Sequence, residues 1–175
     1  VKSIALFRSR KSDGAVMRSW LWMIVRFCLS AWVGAAALFV VTGVREVTSP
    51  QFDSIVRNQL AALRFPAYYV FGFALVAAAL LTALMLSIRG TGRGRARWIT
   101  GLCALALLVM LFDWFRIYLP LEAMMQIPEG SKPAEFRTYH EWSKSLNFLS
   151  VGLCFVAALL SCLEHSSAGS VEPAR

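Results

Sequence analysis

The sequence predicts an all-α integral membrane protein: a four-helix bundle with a short amphipathic helix between helices 1 and 2. Three observations predict it. Four apolar runs, Trp20–Val44, Pro66–Ile88, Trp98–Leu119 and Ser145–Leu163, each approach or exceed the roughly 20 residues that a helix needs to cross a hydrocarbon core about 30 Å thick. Hydrophobic residues make up 58% of the 175-residue chain and charged residues only 16%, against roughly 25% charged in soluble domains. The basic residues cluster beside the apolar runs, as topology signals do. The crossings leave about 90 residues for tails and connections, too few for a separate soluble domain. The expected organisation is a basic cytoplasmic tail (1–19), a transmembrane domain (20–163) and a disordered C-terminal tail (164–175).

The tail carries Lys2, Arg8, Arg10, Lys11 and Arg18 and resembles the start of a signal peptide. The apolar stretch behind it continues to Val44, far past the roughly 7–15 residues of a signal h-region, so an uncleaved first helix is expected. Val1 fits either a start codon read literally or a truncation. Arg26 is the one charge in helix 1, close enough to its cytoplasmic end either to snorkel to the headgroups or to take a buried partner. Ser49-Pro50 then reads as an N-cap and first helical position. Phe52, Ile55, Val56, Leu60 and Leu63 recur at helical spacing and give the short amphipathic helix. Tyr68 and Tyr69 are expected at the membrane interface, where amphipathic rings prefer to sit.

Helix 2 ends at Ile88, before a turn holding Arg89, Arg93, Arg95 and Arg97 among glycines. No strand precedes those glycines and no Lys-Ser/Thr follows, so they do not make a phosphate loop. Helix 3 carries Asp113 and Arg116 near its far end, and Pro120 ends or kinks it. After the turn-forming residues 128–133, helix 4 runs from Pro133 to Leu163, about 46 Å at 1.5 Å per residue, so its start should project beyond the hydrocarbon. The tail and the arginine turn are basic, whereas the other two connections mix signs. The positive-inside rule then places both termini in the cytoplasm, and the expected location is a bacterial inner membrane. The net charge of +8 serves topology. No basic-aromatic soluble surface remains to bind nucleic acid.

Helix 4 holds the most specific pattern. Phe136, His140, Ser143, Asn147, Ser150, Cys154, Ala158 and Ser161 follow at steps of three and four, which keeps them on one face. Polar groups facing lipid are costly, so the stripe should face the other helices. It reads either as a packing seam or as a polar pocket, in which Asp113, Arg116, His140, Ser143 and Asn147 meet and Arg57 or Arg64 reaches in from the amphipathic helix. A histidine beside a carboxylate there could relay a proton or respond to pH.

The spacing Phe136-x-x-x-His140-x-x-Ser143-x-x-x-Asn147 resembles a signature of the transmembrane protein 205-like family, a four-helix membrane domain of bacteria and eukaryotes. Arg64-Phe65-Pro66-x-Tyr68-Tyr69, Tyr118-Leu119-Pro120 and Trp32-Val33-Gly34 are similar to other segments of that family. The resemblance spans about Arg26 to Leu163; the basic tail and the Arg-Gly turn lie outside it. It implies a four-helix bundle and no activity.

The expected function is that of a non-enzymatic membrane protein, a partner-binding or accessory module of a membrane complex. Its partners are the lipid bilayer and other membrane subunits, without a cofactor. The alternative is transport or handling of a small solute or soft metal, with Cys28, Cys103 and Cys162 as thiolate ligands. No Cys-x-x-Cys pair and no loop cysteine suggests a disulfide framework. His140 and His165 stand about 37 Å apart on a continuous helix and cannot jointly clamp one haem. No G-x-S-x-G, H-E-x-x-H or paired carboxylates point to a hydrolase.

Overall fold

A computed structural model of the chain describes residues 2–89, 93–125, 127 and 132–163, with backbone alone for residues 2–13, 15 and 89. Helix α1 spans Lys2–Thr48, α2 Ser54–Arg89, α3 Arg93–Phe112, α4 Leu119–Met125 and α5 Glu135–Cys162. A π-turn, Asp113–Tyr118, joins α3 to α4 without a break. Four spans are long and apolar enough to cross a membrane: Val16–Thr48, Ser54–Ile88, Arg93–Met125 and Glu135–Cys162. They pack as a ring in which α1 meets α2, α2 meets α3, α3 meets α5 and α5 closes on α1. The protein is an integral membrane helical bundle in contact with lipid.

Residue size is distributed as a bilayer requires. The interior is rich in small residues, among them Ala36, Ala79, Ala83, Ala96, Ala106, Ala157, Ser150 and Ser161, which let helix backbones approach closely. Large apolar side chains point outward instead: Phe148 is 84% exposed, Leu63 79% and Trp98 73%. An apolar outer surface of that extent would be an aggregation hazard in water, and is the ordinary solvent contact in lipid.

The separate amphipathic helix is not formed. Residues 49–53 make a turn, closed by the Gln51 N–H on Ser49 Oγ at 3.3 Å, and α2 then runs continuously from Ser54 through Pro66. The N-cap is Asp53, not Ser49: its Oδ1 accepts the Val56 N–H at 2.8 Å. Arg57 ties the turn to both helices, donating to Phe52 O at 3.1 Å and Val47 O at 3.0 Å. Pro66 removes one backbone bond without ending α2, as membrane helices tolerate when neighbours pack around the gap. Tyr68 and Tyr69 therefore lie about four turns into a continuous helix, where both are buried against the neighbouring helices.

Pro120 likewise does not end its span. In a regular helix its ring would meet the Arg116 carbonyl. Here the preceding π-turn widens the backbone, and the Leu119 N–H reaches back five residues to Trp114 O. Two further boundaries differ from expectation. The α1 backbone is helical from Lys2, well ahead of the apolar run that begins at Trp20, and α5 begins at Glu135 with Pro133 O accepting the Phe136 N–H. The C-terminal tail from residue 164 and the turn residues 90–92 and 128–131 lie outside the described residues.

The tightest approach is at Gly72. A Cβ there would stand 2.5 Å from the Trp32 ring of α1 and 2.7 Å from the Met110 methyl of α3. Both neighbours are fully buried, so neither can swing away. Gly72→Ala should therefore destabilise the bundle by about 1–3 kcal/mol, the usual cost of overpacking. Gly101→Ala, where a Cβ meets nothing within 4 Å, should be neutral or stabilise by up to about 1 kcal/mol. Thermal unfolding in detergent measures both; equal effects would contradict the packing described.

Candidate functional site

One polar knot lies inside the bundle, built on Asp113, which is only 1% exposed. Two helices, α2 and α5, aim three donors at a single carboxylate oxygen. Tyr69 Oη of α2 donates to Asp113 Oδ2 at 2.5 Å, Asn147 Nδ2 of α5 donates at 2.5 Å, and Ser143 Oγ donates at 3.3 Å. Asn147 Nδ2 also donates to the Ser143 carbonyl at 3.0 Å and lies 3.1 Å from the Tyr69 oxygen. A carboxylate only accepts, which requires the nitrogen side of the Asn147 amide to face Asp113. Asp113 Oδ1 is buried without a hydrogen-bond partner among the described residues.

Local backbone structure makes this convergence. The π-turn brings Asp113 inward at the head of its widened segment. On α5, Ser143 and Asn147 are one turn apart on the face that also buries Ser150, Cys154 and Ser161. Around the knot the Tyr69 ring is held by Trp114 at 4.9 Å, Tyr118 at 5.1 Å and Tyr68 at 5.6 Å. Such ring contacts contribute about 0.5–1.5 kcal/mol each beyond their area, and they fix where the Tyr69 hydroxyl points.

Arg116 is exposed and is not part of the knot. Arg64 is engaged elsewhere: it pairs with Glu46 at 2.7 Å, donates to Thr42 Oγ1 at 3.3 Å and lies over the Phe39 ring at 5.2 Å. It clasps α1 to α2. His140 is exposed and stacked on Phe136 with centroids 6.3 Å apart, and it does not contact Asp113. The expected His140–Asp113 relay is therefore not formed. Cys28 and Cys103 are buried and Cys162 is exposed. Among the described residues no group of three His, Cys, Asp or Glu side chains could hold a metal ion.

Tyr69 is the knot residue missing from the expectation. With α2 taken as unbroken it falls on the buried stripe of Val76, Ala79, Ala83 and Leu86, at steps of seven, three, four and three. That spacing was the available signal.

Beside the knot is a partly enclosed, mainly apolar cavity of about 410 Å³. Val33, Ala37 and Val40 of α1 form one wall, Phe65 and Tyr68 of α2 the back, and His140, Asn147 and Val151 of α5 the other wall. Helices α1 and α5 are tied at the opposite end, where Arg26 Nε donates to Ser161 O at 2.8 Å. The cavity is thus a wedge between two helices joined at one end. Asn147 belongs to both features, with its nitrogen in the knot and its side chain on the cavity wall.

A scan of protein-family models finds no match to the chain, and searches of curated proteins and of solved structures find no similar protein. The resemblance to the transmembrane protein 205-like family gains no support from these comparisons.

Removing one member of a buried network leaves the others unsatisfied at about 1–3 kcal/mol, although single hydrogen bonds inside membranes average only about 0.6 kcal/mol. Tyr69→Phe and Asn147→Leu should each destabilise by about 1–2 kcal/mol, with a coupling of at least about 0.5 kcal/mol between them. Arg116→Ala should fall within about 0.5 kcal/mol of the parent. Equilibrium unfolding in mixed micelles gives all three values. Strict additivity of the first pair would mean that they do not share one carboxylate.

Proposed function

We propose that the protein is a non-enzymatic binding module of the membrane, which takes the apolar chain of an amphiphile into the cavity between α1 and α5. The observation that carries this reading is the cavity itself. Its 410 Å³ lies in the range of small-molecule sites, about 300–1,000 Å³. A helix of another subunit, about 10 Å across, would displace roughly twice that volume in two turns. A single chain fits better than a helix. The polar groups suit an amphiphile too: His140 and Lys144 line the cavity near the start of α5, while the Val33 and Val151 walls are apolar. A role as an accessory subunit beside a larger membrane complex belongs to the same proposal, with binding as the activity.

The resemblance to the transmembrane protein 205-like family is compatible with this reading and adds no activity to it. The proposed topology has both termini in the cytoplasm of a bacterial inner membrane. Support comes from Arg18, Arg26, Arg93, Arg95 and Arg97, whose positions follow the positive-inside rule. With single cysteines, position 93 should resist a membrane-impermeant reagent in intact cells while position 50 reacts. The opposite pattern would invert the topology.

Ala37 is exposed on the cavity wall, so a larger side chain there fills the cavity without entering the core. Ala37→Phe should reduce retention of a spin-labelled stearate by about tenfold, or about 1.4 kcal/mol. Leu38→Phe, on the neighbouring exposed position outside the cavity, should leave it unchanged. Equal retention by both variants would reject the cavity as the binding site.

A further inference from the structure

Charged side chains fix the depth of the α1–α5 cavity in the bilayer. At one end of α5, Arg26 and Arg95 donate to the carbonyls of Ser161 and Leu163. The exposed Lys144–Glu141 pair stands about 26 Å from Ser161 along the same helix. These two charged levels bracket a hydrocarbon core about 30 Å thick. Across the cavity the Arg64–Glu46 pair repeats the second level. Glu46 stands about 9 Å beyond Val40 on α1, and Lys144 about 6 Å beyond Phe148 on α5, toward the same end of the bundle.

Between those levels the cavity opens sideways. Val40, 62% exposed, and Phe148, 84% exposed, both line it. Each faces the cavity with one side and the surrounding lipid with the other. Tyr68, at the back, is buried, so only a molecule inside the cavity can touch it from the α1–α5 side. Because the opening lies below the ion pairs, acyl chains stand in front of it, not water. The upper edge carries a sign of charge as well. Lys144 lines the cavity together with Ser143 and His140, whereas its partner Glu141 does not. The mouth therefore turns a cation toward the level at which phosphates lie, and lysine binds phosphate as a point charge.

The geometry points to a glycerophospholipid of the bilayer as the occupant. One of its acyl chains enters sideways between Val40 and Phe148, its phosphate stays at the level of Lys144, and its other chain remains in the bilayer. This inference rests on the cavity being a chain-binding site; it names the class of amphiphile and the route by which the chain enters.

The test is photo-cross-linking of the full chain in phosphatidylcholine nanodiscs that contain a phosphatidylcholine with a diazirine in one acyl chain. Peptide mass spectrometry locates the labelled residues. Tyr68 should be labelled more than Leu81, an exposed α2 residue outside the cavity that reports ordinary bilayer contact. Val40→Trp, which obstructs the opening, should lower the labelling of Tyr68 about tenfold. Leu38→Trp, exposed outside the cavity, should change nothing. Val40→Ala widens the opening and should keep or raise the labelling, which guards against a folding artefact. Lys144→Gln should lower it. Tyr68 labelling no stronger than that of Leu81, or equal effects of Val40→Trp and Leu38→Trp, would overturn the inference. Labelling of Tyr68 by a diazirine stearate but not by the phospholipid would overturn it too, and leave the chain-binding cavity standing. Failure of both probes would remove the cavity reading as well.

Discussion

A carboxylate removed from water and placed among apolar helices must be surrounded by donors, and the central part of this bundle is organised around meeting that demand. Asp113 is 1% exposed, and donors from Tyr69, Ser143 and Asn147 converge on one of its oxygens. An uncompensated charge at that depth would cost at least several kcal/mol. The rotation of α5, the depth of Tyr69 on α2 and the widened turn at Asp113 all answer to the same carboxylate. Around it the apolar seams are built from small residues, whose packing alone sets no strong rotational preference. The polar knot supplies that preference, as polar groups between membrane helices often do.

The knot and the cavity are mechanically linked through Asn147. Its nitrogen is committed to Asp113, which holds its side chain against the cavity wall. Across the cavity, Phe39 packs against Phe65 and Tyr68 with ring centroids 5.1 and 4.3 Å away, and Arg64 covers the Phe39 ring. The two sides of the wedge are therefore held by different devices, one polar and buried, the other aromatic with an ion pair at its margin. Such a cavity can stay open without a rigid small-residue seam closing it. That is what the proposed binding of a chain needs.

Much of this architecture was legible in the sequence, because apolar run length and helical periodicity are local properties. The four crossings follow from the runs, and the α5 stripe of Ser143, Ser150, Cys154 and Ser161 is buried as its steps of three and four imply. The misreadings cluster at proline. Pro66 was taken as a boundary, which cut α2 in two, created a separate amphipathic helix and hid the burial of Tyr69 in the bundle. Pro120 was taken as a stop or kink, which concealed the π-turn. In that wider turn a three-residue step falls further from the same face, so Arg116 does not follow Asp113 inward. His140 stands about 10 Å along α5 from Asn147, about two turns nearer the helix start, and lines the cavity. Sequence spacing ranks faces correctly but cannot tell whether neighbouring helices compensate a lost backbone bond, and that decided each of these cases.

The most direct test of the central claim is the rotational setting of α5, which the knot is held to fix. Single nitroxide labels at positions 148 and 150 in lipid nanodiscs report it. The label at 148 should be mobile and strongly relaxed by oxygen dissolved in the hydrocarbon, because Phe148 is 84% exposed. The label at 150 should be immobilised and protected, and Asp113→Leu should erase much of that difference. A parent protein in which position 150 is the more oxygen-accessible of the two would turn the polar face of α5 toward lipid and contradict the account.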